Sequence, residues 1–326
     1  KPCKCPHCNT ITKHVHDYRD QYIRHSPING FKTFLVLHKA RLICPNCYHK
    51  FYANYSDIVN PRFRCSNILF FDIINTLKDT SMIFDEVANF FGVFSGVVTR
   101  YLDFFSYLME WNNITCLPKH IGIDEFKGNC DASKYLFHIY DLDTNQTIYI
   151  LKSRKYDDVV NFFNNISNRN DVEIVTMDLY DSFRNAVKAK LKRATIIADR
   201  FHYTRIVSRA FDELRIQLWR DAYAYQLYQS FLRIKDGDTY QERVKRFRDW
   251  LDDAISSTLP KFKSAAETLL RWSHEIVNSL KTSYTNSSTE GKNNKIKLIK
   301  RNAYGFRKLK NLRNLVKLRD FKYSEI

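Results

Sequence analysis

Short apolar runs separated by helical stretches dominate the second half of the chain. After Pro118 the runs are rich in β-branched residues, which is typical of buried strands. We predict strands at 121–124, 135–141, 147–151, 173–178 and 194–198. Helical periodicity predicts helices at 156–166 and 182–191, after the third and fourth strands. This order predicts an α/β fold.

A long helical stretch follows the last of these strands. Asp199 and Glu290 are separated by 90 residues, far more than a connection between a sheet and a helix requires. Within it, 211–233 and 240–251 have helical periodicity and are rich in Trp and Tyr. We predict an all-helical insertion at about 205–280. Its aromatic residues are expected to pack together, with base stacking as the alternative.

Two CxxC motifs lie near the start of the chain. We predict that they bind one zinc ion, because each pair of cysteines can supply two ligands of a tetrahedral site. An apolar run at 34–43, between the motifs, is predicted to be a strand. A redox CxxC or unpaired thiols are the alternatives, and Cys3 and His7 are competing ligands. The predicted zinc ligands are Cys5, Cys8, Cys44 and Cys47.

Residues 83–105 have the spacing of a helix-turn-helix. Ala88 and Gly92 are four residues apart, and valines occupy the positions at which two helices would pack together. The second helix, at about 95–105, would enter the major groove of DNA. An ordinary helical hairpin is the alternative. Candidate contacts to bases or phosphates are Ser95, Thr99 and Arg100.

The charge balance favours a polyanionic partner. The chain has 52 Lys+Arg against 35 Asp+Glu, a net charge of +17. The last 46 residues hold 13 Lys/Arg and 3 Asp/Glu, which favours a track for nucleic acid, although a basic helix can also be merely solvated. Candidate DNA contacts here are Lys292, Lys295, Lys297, Lys300 and Arg301.

The sequence also bears on location. No apolar run is long enough to cross a membrane, and no signal peptide is visible. Paired CxxC motifs together with scattered single cysteines favour a reducing compartment. We therefore predict a cytoplasmic protein without a membrane partner. Because the chain begins at Lys1, close to the first CxxC motif, we expect a few further residues upstream.

Three carboxylates have the pattern of a metal site. Asp124 and Asp178 each close an apolar, strand-like run, and Glu290 lies at the start of a basic helix. Three such acids can hold two hard cations about 3.5–4 Å apart for in-line attack on a phosphodiester. Each acid also has a simpler interpretation. The aspartates could end strands in turns, and Glu290 could complete a capping box with Ser287.

Helix geometry favours the metal role for Glu290. With about 100° per residue, Glu290, Lys297 and Arg301 share one face, and isoleucines line the opposite face. A capping role alone does not explain cations behind the glutamate, whereas a helix lying along DNA does.

An ordered set of short strings resembles the ISL3 family of bacterial insertion-sequence transposases, part of the DDE group. The strings are Ile123-Asp-Glu-Phe126, Thr176-Met-Asp178, Ala198-Asp-Arg-Phe-His202, the segment 283–297 and the segment 300–306. The resemblance covers nearly the whole chain, including its cysteine-rich start. It implies that Asp124, Asp178 and Glu290 are catalytic and that Asp199 and His202 support them. Asp199 could equally be the N-cap of a helix from Arg200.

The resemblance implies an RNase H-like core in which the first and fourth strands are neighbours, bringing Asp124 and Asp178 together. We predict three domains: a zinc ribbon at 1–58, a helix-turn-helix domain at 59–115, and the catalytic domain with its helical insertion at 116–326. Expected cofactors are two catalytic Mg²⁺ ions, which Mn²⁺ may replace, and one structural Zn²⁺.

The expected function is transposition. The N-terminal modules would bind the terminal inverted repeats of the element, and the carboxylates would support strand cleavage and strand transfer. Expected partners are double-stranded DNA, as transposon ends and target, and further copies of the chain on that DNA. In a bacterial cell the active protein would associate with the nucleoid. Alternatives are a non-catalytic DNA-binding regulator with the same fold, and an RNase H-like nuclease that cuts without joining.

Overall fold

The computed structural model describes residues 2–59, 63–131, 133–217, 222–285, 287–303 and 305–321, without the side chains of 215–217 and 287–290. The contacts between residues divide the chain into two compact units, Lys1–Met109 and Glu110–Ile326. The finer boundaries at 58/59 and 115/116 remain predictions.

The first unit combines β-structure with helices. Its strands are β1 (Cys3–Lys4), β2 (Ile11–Thr12), β3 (Val15–Ile28), β4 (Phe31–Ile43) and β5 (Lys50–Tyr52). Its helices are α1 (Asn67–Thr76), α2 (Phe84–Phe91) and α3 (Ser95–Leu108). β1 and β2 form a small antiparallel pair, and β3, β4 and β5 form an antiparallel sheet in that order. The strand predicted at 34–43 is present and begins three residues earlier.

A tight turn joins α2 to α3. Gly92 ends α2 in the left-handed conformation, with φ at 57°, where a side chain would be strained. A Cβ at this position would also lie 2.7 Å from the guanidinium of Arg24. Val87 and Val98 are fully buried, as expected for the positions that pack the two helices together. The left-handed turn therefore favours glycine here, whereas the long side chain of Arg24 can shift to make room for a Cβ.

The second unit is built on a five-stranded sheet. Its strands are β6 (His120–Cys130), β7 (Ser133–Asp141), β8 (Thr147–Leu151), β9 (Ile174–Met177) and β10 (Thr195–Ala198). They lie in the order β10-β9-β6-β7-β8, with β7 antiparallel to β6 and β8, and with β9 parallel to β6 and β10. The predicted pairing of the first strand with the fourth is confirmed.

The two faces of β6 have different partners. Ile121 and Ile123 are fully buried and belong to the main hydrophobic core. Gly122 and Asp124 point to the opposite face because side chains alternate along a strand. Gly122 lies directly opposite Tyr140, and a Cβ on Gly122 would be only 1.8 Å from the tyrosine ring. The glycine thus lets an aromatic ring cross the strand beside the aspartate.

Helices surround the sheet and extend the core. In chain order they are α4 (Tyr156–Asn164), α5 (Asp181–Lys190), α6 (Arg200–Gln217), α7 (Ala222–Leu232), α8 (Tyr240–Ser256), α9 (Pro260–Arg271), α10 (Ser273–Lys281), α11 (Ser287–Asn302) and α12 (Leu309–Asp320). Short 3₁₀ turns lie at Arg169–Asp171 and Arg233–Asp236. One core cluster includes Ile121 of the sheet, Phe183 of α5 and Trp250 of α8, so the helical region and the sheet share a core.

The helical region agrees with the prediction of an insertion between the last strand and the helix of Glu290. Its aromatic residues pack as expected: Phe231 and Trp250 are buried with ring centroids 4.7 Å apart. The stretch predicted as one helix at 211–233 belongs instead to α6 and α7, and α6 begins directly after Asp199. Within the described residues, no helix has the length and apolar character needed to cross a bilayer.

Basic side chains of α12 cover the edge strand β8. Arg313 donates from Nε and Nη2 to the carbonyl oxygen of Ile150, at 3.0 and 2.7 Å, and its guanidinium stacks on Tyr149. Lys317 donates to the carbonyl oxygen of Ile148 at 2.9 Å. These bonds satisfy edge carbonyls that would otherwise be open to pairing with another strand.

Candidate functional site

Three aspartates converge at the end of the sheet where β9 and β10 have their carboxyl ends. Asp178 follows β9, Asp199 follows β10, and Asp124 lies in β6 at the point where β9 ends, since Ile123 pairs with Met177. The strand was predicted to end at Asp124, but β6 continues to Cys130 because its second half pairs with β7. Because β9 ends beside Ile123 of β6, the parallel pairing of these two strands brings Asp124 and Asp178 side by side, as predicted.

Ionisation of the Asp124 carboxyl group is electrostatically unfavourable. The side chain is 9% exposed, and it lies beside the like charge of Asp178. Burial, followed by repulsion from Asp178, raises the pKa of Asp124 to about 8. A cation between the two carboxylates would remove this repulsion.

His202 joins the other two acids. Its Nδ1 lies 2.8 Å from Asp199 Oδ2 and 3.0 Å from Asp178 Oδ1. Burial opposes a charged imidazole, but the two carboxylates outweigh it and raise the pKa of His202 to about 10. Asp199 directly precedes α6, so it holds the N-cap position and also pairs with the histidine. Both interpretations of Asp199 thus have a structural basis.

The site fits a hard cation. Oδ1 of Asp178 is buried and has no hydrogen bond from the described residues, since the nearby His202 N–H is directed at Asp199. Ligand atoms of Asp178, Asp199 and His202 lie within 4.8 Å of one another, a group that does not include Asp124. Protonated His202 cannot bind a metal, so the two carboxylates are the donors in this group. Carboxylate oxygens of this kind are ligands for Mg²⁺. Asp124 and Asp178, with their mutual repulsion, have the donor chemistry for such an ion.

The third predicted carboxylate lies in the first turn of α11. The helix Ser287–Asn302 contains Glu290, but the side chain of Glu290, like the capping residue Ser287, lies outside the described set. Its metal and capping roles therefore both remain predictions. One turn further along the helix, Asn293 is buried and donates from Nδ2 to Asp124 Oδ2. The helix of Glu290 therefore contacts the strand of Asp124.

A cavity of about 250 Å³ opens beside the carboxylates. Asp178 and His202 line it together with Arg205 and Arg209, which extend the same face of α6. Both arginines are exposed, and neither forms an ion pair within the described part of the chain. Neither arginine is among the residues predicted from the sequence, although their spacing of three and seven residues from His202 places them on one face of a helix.

Several basic residues of the tail have protein partners. Lys292 and Lys295 pair with Asp320 at 3.0 and 3.2 Å, and these cations lower the pKa of that buried acid against the effect of burial. Lys300 donates to the carbonyl oxygen of Lys127 at 2.6 Å. Lys297 contacts Asn294 at 3.4 Å and is exposed, as is Arg301. Of the five basic residues predicted to contact DNA in the tail, Lys297 and Arg301 are therefore the best candidates.

The three candidates on α3 differ in their availability. The hydroxyl of Ser95 donates to the carboxylate of Asp85, and that of Thr99 donates to the carbonyl oxygen of Ser95 at 3.1 Å. Arg100 is exposed and donates to the carbonyl oxygen of Gly96 at 3.2 Å. All three side chains thus form a hydrogen bond within the unit, and Arg100 is the exposed one among them. Their contacts with DNA remain predictions.

The two CxxC motifs have the same backbone geometry. Asn9 and Tyr48 directly follow the second cysteine of each motif, and both have positive φ, at 62° and 59°. Their amides donate to the carbonyl oxygens of Cys5 and Cys44 at 3.0 Å. A positive φ is costly for a tyrosine, so the turn is held by the surrounding contacts.

The four predicted cysteines form one cluster with their sulfurs within 4.8 Å of one another. Cys5 Sγ lies 3.6 Å from Cys47 Sγ, and Cys8 Sγ lies 3.4 Å from Cys44 Sγ. A tetrahedral zinc with bonds of about 2.3 Å requires sulfurs about 3.8 Å apart. The cluster therefore fits a structural zinc ion, as predicted.

Known proteins match both parts of the chain. The family model for ISL3 transposases, described as "Transposase", matches residues 121–223 and 222–316, more than half of the chain. A second model, "zinc-finger of transposase IS204/IS1001/IS1096/IS1165", matches residues 1–47. The "Transposase for insertion sequence element IS1001" of Bordetella parapertussis is 22% identical over 93% of this chain and 85% of its own length.

An "ATP-dependent protease" of Lactococcus lactis subsp. lactis is 37% identical over 97 residues, which are 29% of each chain. The present chain thus spans under a third of that protein's length. A match this short carries no activity from one protein to the other.

The zinc site gives the first prediction. Metal analysis of the purified protein should find about one zinc per chain, because the four thiolates supply one tetrahedral site. Changing Cys44→Ser and Cys47→Ser should remove it, whereas Cys116→Ser, at an exposed thiol outside the cluster, should retain it. A folded N-terminal unit that lacks metal would contradict the assignment.

The pKa of Asp124 gives the second prediction. In the folded protein Asp124 stays neutral up to about pH 8, whereas an unperturbed aspartate ionises near 3.8. Raising the pH from 4 to 8 should therefore destabilise the wild type relative to Asp124→Asn. The measurement is made in magnesium-free buffer that retains zinc. The melting temperature of Asp124→Asn should rise relative to that of the wild type between pH 4 and 8, and the difference should stay constant above pH 8. Asp252→Asn, a substitution at an exposed acid, serves as the control. If the difference in melting temperature between the wild type and Asp124→Asn did not change with pH, the raised pKa of Asp124 would be refuted.

Proposed function

The chain belongs to the ISL3 family of transposases, and we propose that it is a DDE enzyme that cleaves and joins DNA at the ends of an insertion sequence. The observation that carries this proposal is that buried Asp124 and half-buried Asp178 lie side by side, where β9 ends beside β6. Such a pair is costly unless it holds a cation, and divalent cations catalyse phosphoryl transfer.

The topology supports an RNase H-like core. Three antiparallel strands are followed by two parallel strands, and the first strand lies beside the fourth. The helical region between β10 and α11 then corresponds to an insertion within that core. In this arrangement the third acid, Glu290, is supplied by a helix that packs on the face of the sheet bearing Asp124.

Asp124, Asp178 and Glu290 would hold two Mg²⁺ ions, for which Mn²⁺ can substitute. When bound, these ions lower the pKa of an attacking water and neutralise charge on the phosphate. The chain itself fixes the carboxylates: His202 and Asp199 restrain Asp178, and α11 restrains Asp124. A water molecule would attack first and a DNA 3′-hydroxyl second, so no Ser or Tyr nucleophile is required.

Basic side chains flank the proposed site. Arg205 and Arg209 would bind phosphates of the strand being cut, since they line the cavity next to Asp178. Lys297 and Arg301 would contact the DNA backbone along α11. Within the described residues none of these four cations forms an ion pair with Asp124 or Asp178, which keeps the two acids available to metal.

Recognition of the element is assigned to the first unit. The turn at Gly92 and the packing of α2 on α3 support a helix-turn-helix, in which Arg100 and its neighbours on α3 would reach the terminal inverted repeats. The zinc ribbon would support this binding. Transposon ends must be brought together for joining, so we expect further copies of the chain to assemble on DNA.

Two other functions remain to be distinguished by experiment. A non-catalytic regulator would not need two adjacent acids with the repulsion between Asp124 and Asp178. A nuclease would cleave in the same way but would not join ends. An assay with oligonucleotides that carry a transposon end and with Mg²⁺ separates these functions, because only a transposase produces strand-transfer products.

Single replacements of the three acids provide the third prediction. Asp124→Ala, Asp178→Ala and Glu290→Gln should each reduce cleavage and joining to background, because each carboxylate serves the same pair of ions. Binding to terminal repeats should persist, since recognition is assigned to the first unit. Gel-shift and strand-transfer assays on the same samples measure both properties.

Glu290→Gln distinguishes the two interpretations of that residue. Glutamine can retain much of a capping interaction but binds metal poorly. If Glu290 were only a cap, the variant would cleave at nearly the wild-type rate, and even complete loss of a cap would cost about 1 kcal/mol of stability. Near-normal cleavage by Glu290→Gln would show that the proposed triad is wrong.

The salt dependence of DNA binding gives the fourth prediction. Lys297→Gln combined with Arg301→Gln should lower the log–log slope by about 1.8, since each lost phosphate contact removes roughly 0.9. Lys192→Gln with Arg193→Gln is the charge-matched control, because these exposed residues precede β10 at the opposite end of the sheet. Equal slopes for the two double variants would place Lys297 and Arg301 away from DNA.

A further inference from the structure

We propose that Asn293 is a positioning residue that fixes the carboxylate of Asp124 for metal binding and sets the distance between the strand of Asp124 and the helix of Glu290. This inference rests on the proposed function, and it assigns a role to a residue outside the three acids. It is based on a chain of hydrogen bonds that crosses the interior of the second unit.

The orientation of the Asn293 amide is determined by its neighbours. The side chain is 5% exposed and lies between Asp124 Oδ2 and the ring of His138. In the structure the NH₂ group of Asn293 faces Asp124. This orientation suits the metal-bound state, in which Asp124 is ionised and its carboxylate can only accept hydrogen bonds. The amide oxygen then accepts from Nδ1 of His138 at 3.2 Å.

His138 is in turn fixed by a third residue. Its ring is fully buried, and Nε2 lies 3.1 Å from the hydroxyl of Thr147. Burial, against the effect of Asn293, lowers the pKa of His138 to about 4, so the ring is neutral. With its proton on Nδ1, the ring donates to Asn293 and accepts from Thr147. Each side-chain donor and acceptor in this series of hydrogen bonds, from Asp124 to Thr147, thus has one consistent role.

The result is a carboxylate with little rotational freedom. Oδ2 of Asp124 accepts from Asn293, and Oδ1 accepts from the backbone N–H of Glu125 at 2.6 Å. Both donors are neutral, so they orient the carboxylate without cancelling its charge. A lysine at position 293 would neutralise Asp124 and compete with a cation. An amide is therefore suited to a site whose charge must be available for metal.

The same bond connects two elements that are distant in sequence. Asn293 and Asp124 are separated by 169 positions, and Asn293 lies three residues after Glu290 on α11. Ile296 and Ile299 on this helix are buried, which holds its apolar side in place. Asn293 adds a directional contact that apolar packing alone does not supply, and so fixes α11 against β6 one turn from the third acid.

The test measures metal affinity as well as activity. Mn²⁺ binding to the full-length, zinc-loaded protein is measured by calorimetry, together with the Mg²⁺ concentration that gives half-maximal cleavage. Asn293→Ala and Asn293→Leu should each weaken Mn²⁺ binding, and raise the Mg²⁺ requirement, by about 10–100-fold, the range typical of residues that orient metal ligands.

Asn314→Ala is the matched control for the loss of a buried asparagine. Asn314 is fully buried on α12 and accepts a hydrogen bond from Asn112, away from the carboxylates. The melting temperature of Asn314→Ala should fall about as much as that of Asn293→Ala, but the Mn²⁺ affinity of Asn314→Ala should equal that of the wild type. A role for Asn293 in stability alone predicts the same behaviour in both variants.

His138 provides a second, independent comparison. An asparagine at 138 can place an N–H near the position of Nδ1, whereas alanine cannot. His138→Asn should therefore retain more Mn²⁺ affinity than His138→Ala. If both Asn293 variants fail to fold, this pair decides the question, and equal affinities would overturn the proposal.

The outcomes separate the inference from the proposed function. Wild-type Mn²⁺ affinity and Mg²⁺ requirement in the Asn293 variants would overturn the positioning role alone, provided that Asp124→Ala abolishes both binding and cleavage. If Asp124→Ala itself behaves as wild type, the metal site is wrong and the proposed function fails with it.

Discussion

The repulsion between Asp124 and Asp178 is the constraint on which the rest of the second unit depends. β9 ends beside the middle of β6, so the parallel pairing of these strands places buried Asp124 next to half-buried Asp178. Such a pair is unfavourable without a cation, so the surrounding groups must tolerate negative charge without removing it. The sheet supplies the rigid spacing, and the helices supply the partners.

These partners treat the two acids differently. Asp124 is held by neutral donors, Asn293 and a backbone N–H, and burial together with repulsion from Asp178 keeps its pKa raised. Asp178 lies beside His202, whose pKa is raised in turn by Asp178 and Asp199. One carboxylate thus keeps its full attraction for a cation, while the other is restrained by a cationic ring. The asymmetry gives the two sides of the site different electrostatic environments.

The sequence predicted what depends on local pattern and missed what depends on distant partners. Short β-branched runs located the strands, and acids at their ends located Asp124 and Asp178. β6 extends beyond Asp124 because residues 125–130 pair with β7, which the run of apolar residues did not indicate. His138 had no signal, since its contact with Asn293 joins positions 155 residues apart.

The basic tail shows why net charge alone overstates contact with DNA. Asp320 was a sign in the sequence that some cations have an internal partner, and Lys292 and Lys295 both pair with it. Arg313 and Lys317 bind carbonyl oxygens of the edge strand instead. A cation committed to a protein acceptor can bind a phosphate only by giving up that contact. The positive charge available to DNA is therefore set by which side chains lack such acceptors, and it is smaller than the composition of the tail suggests.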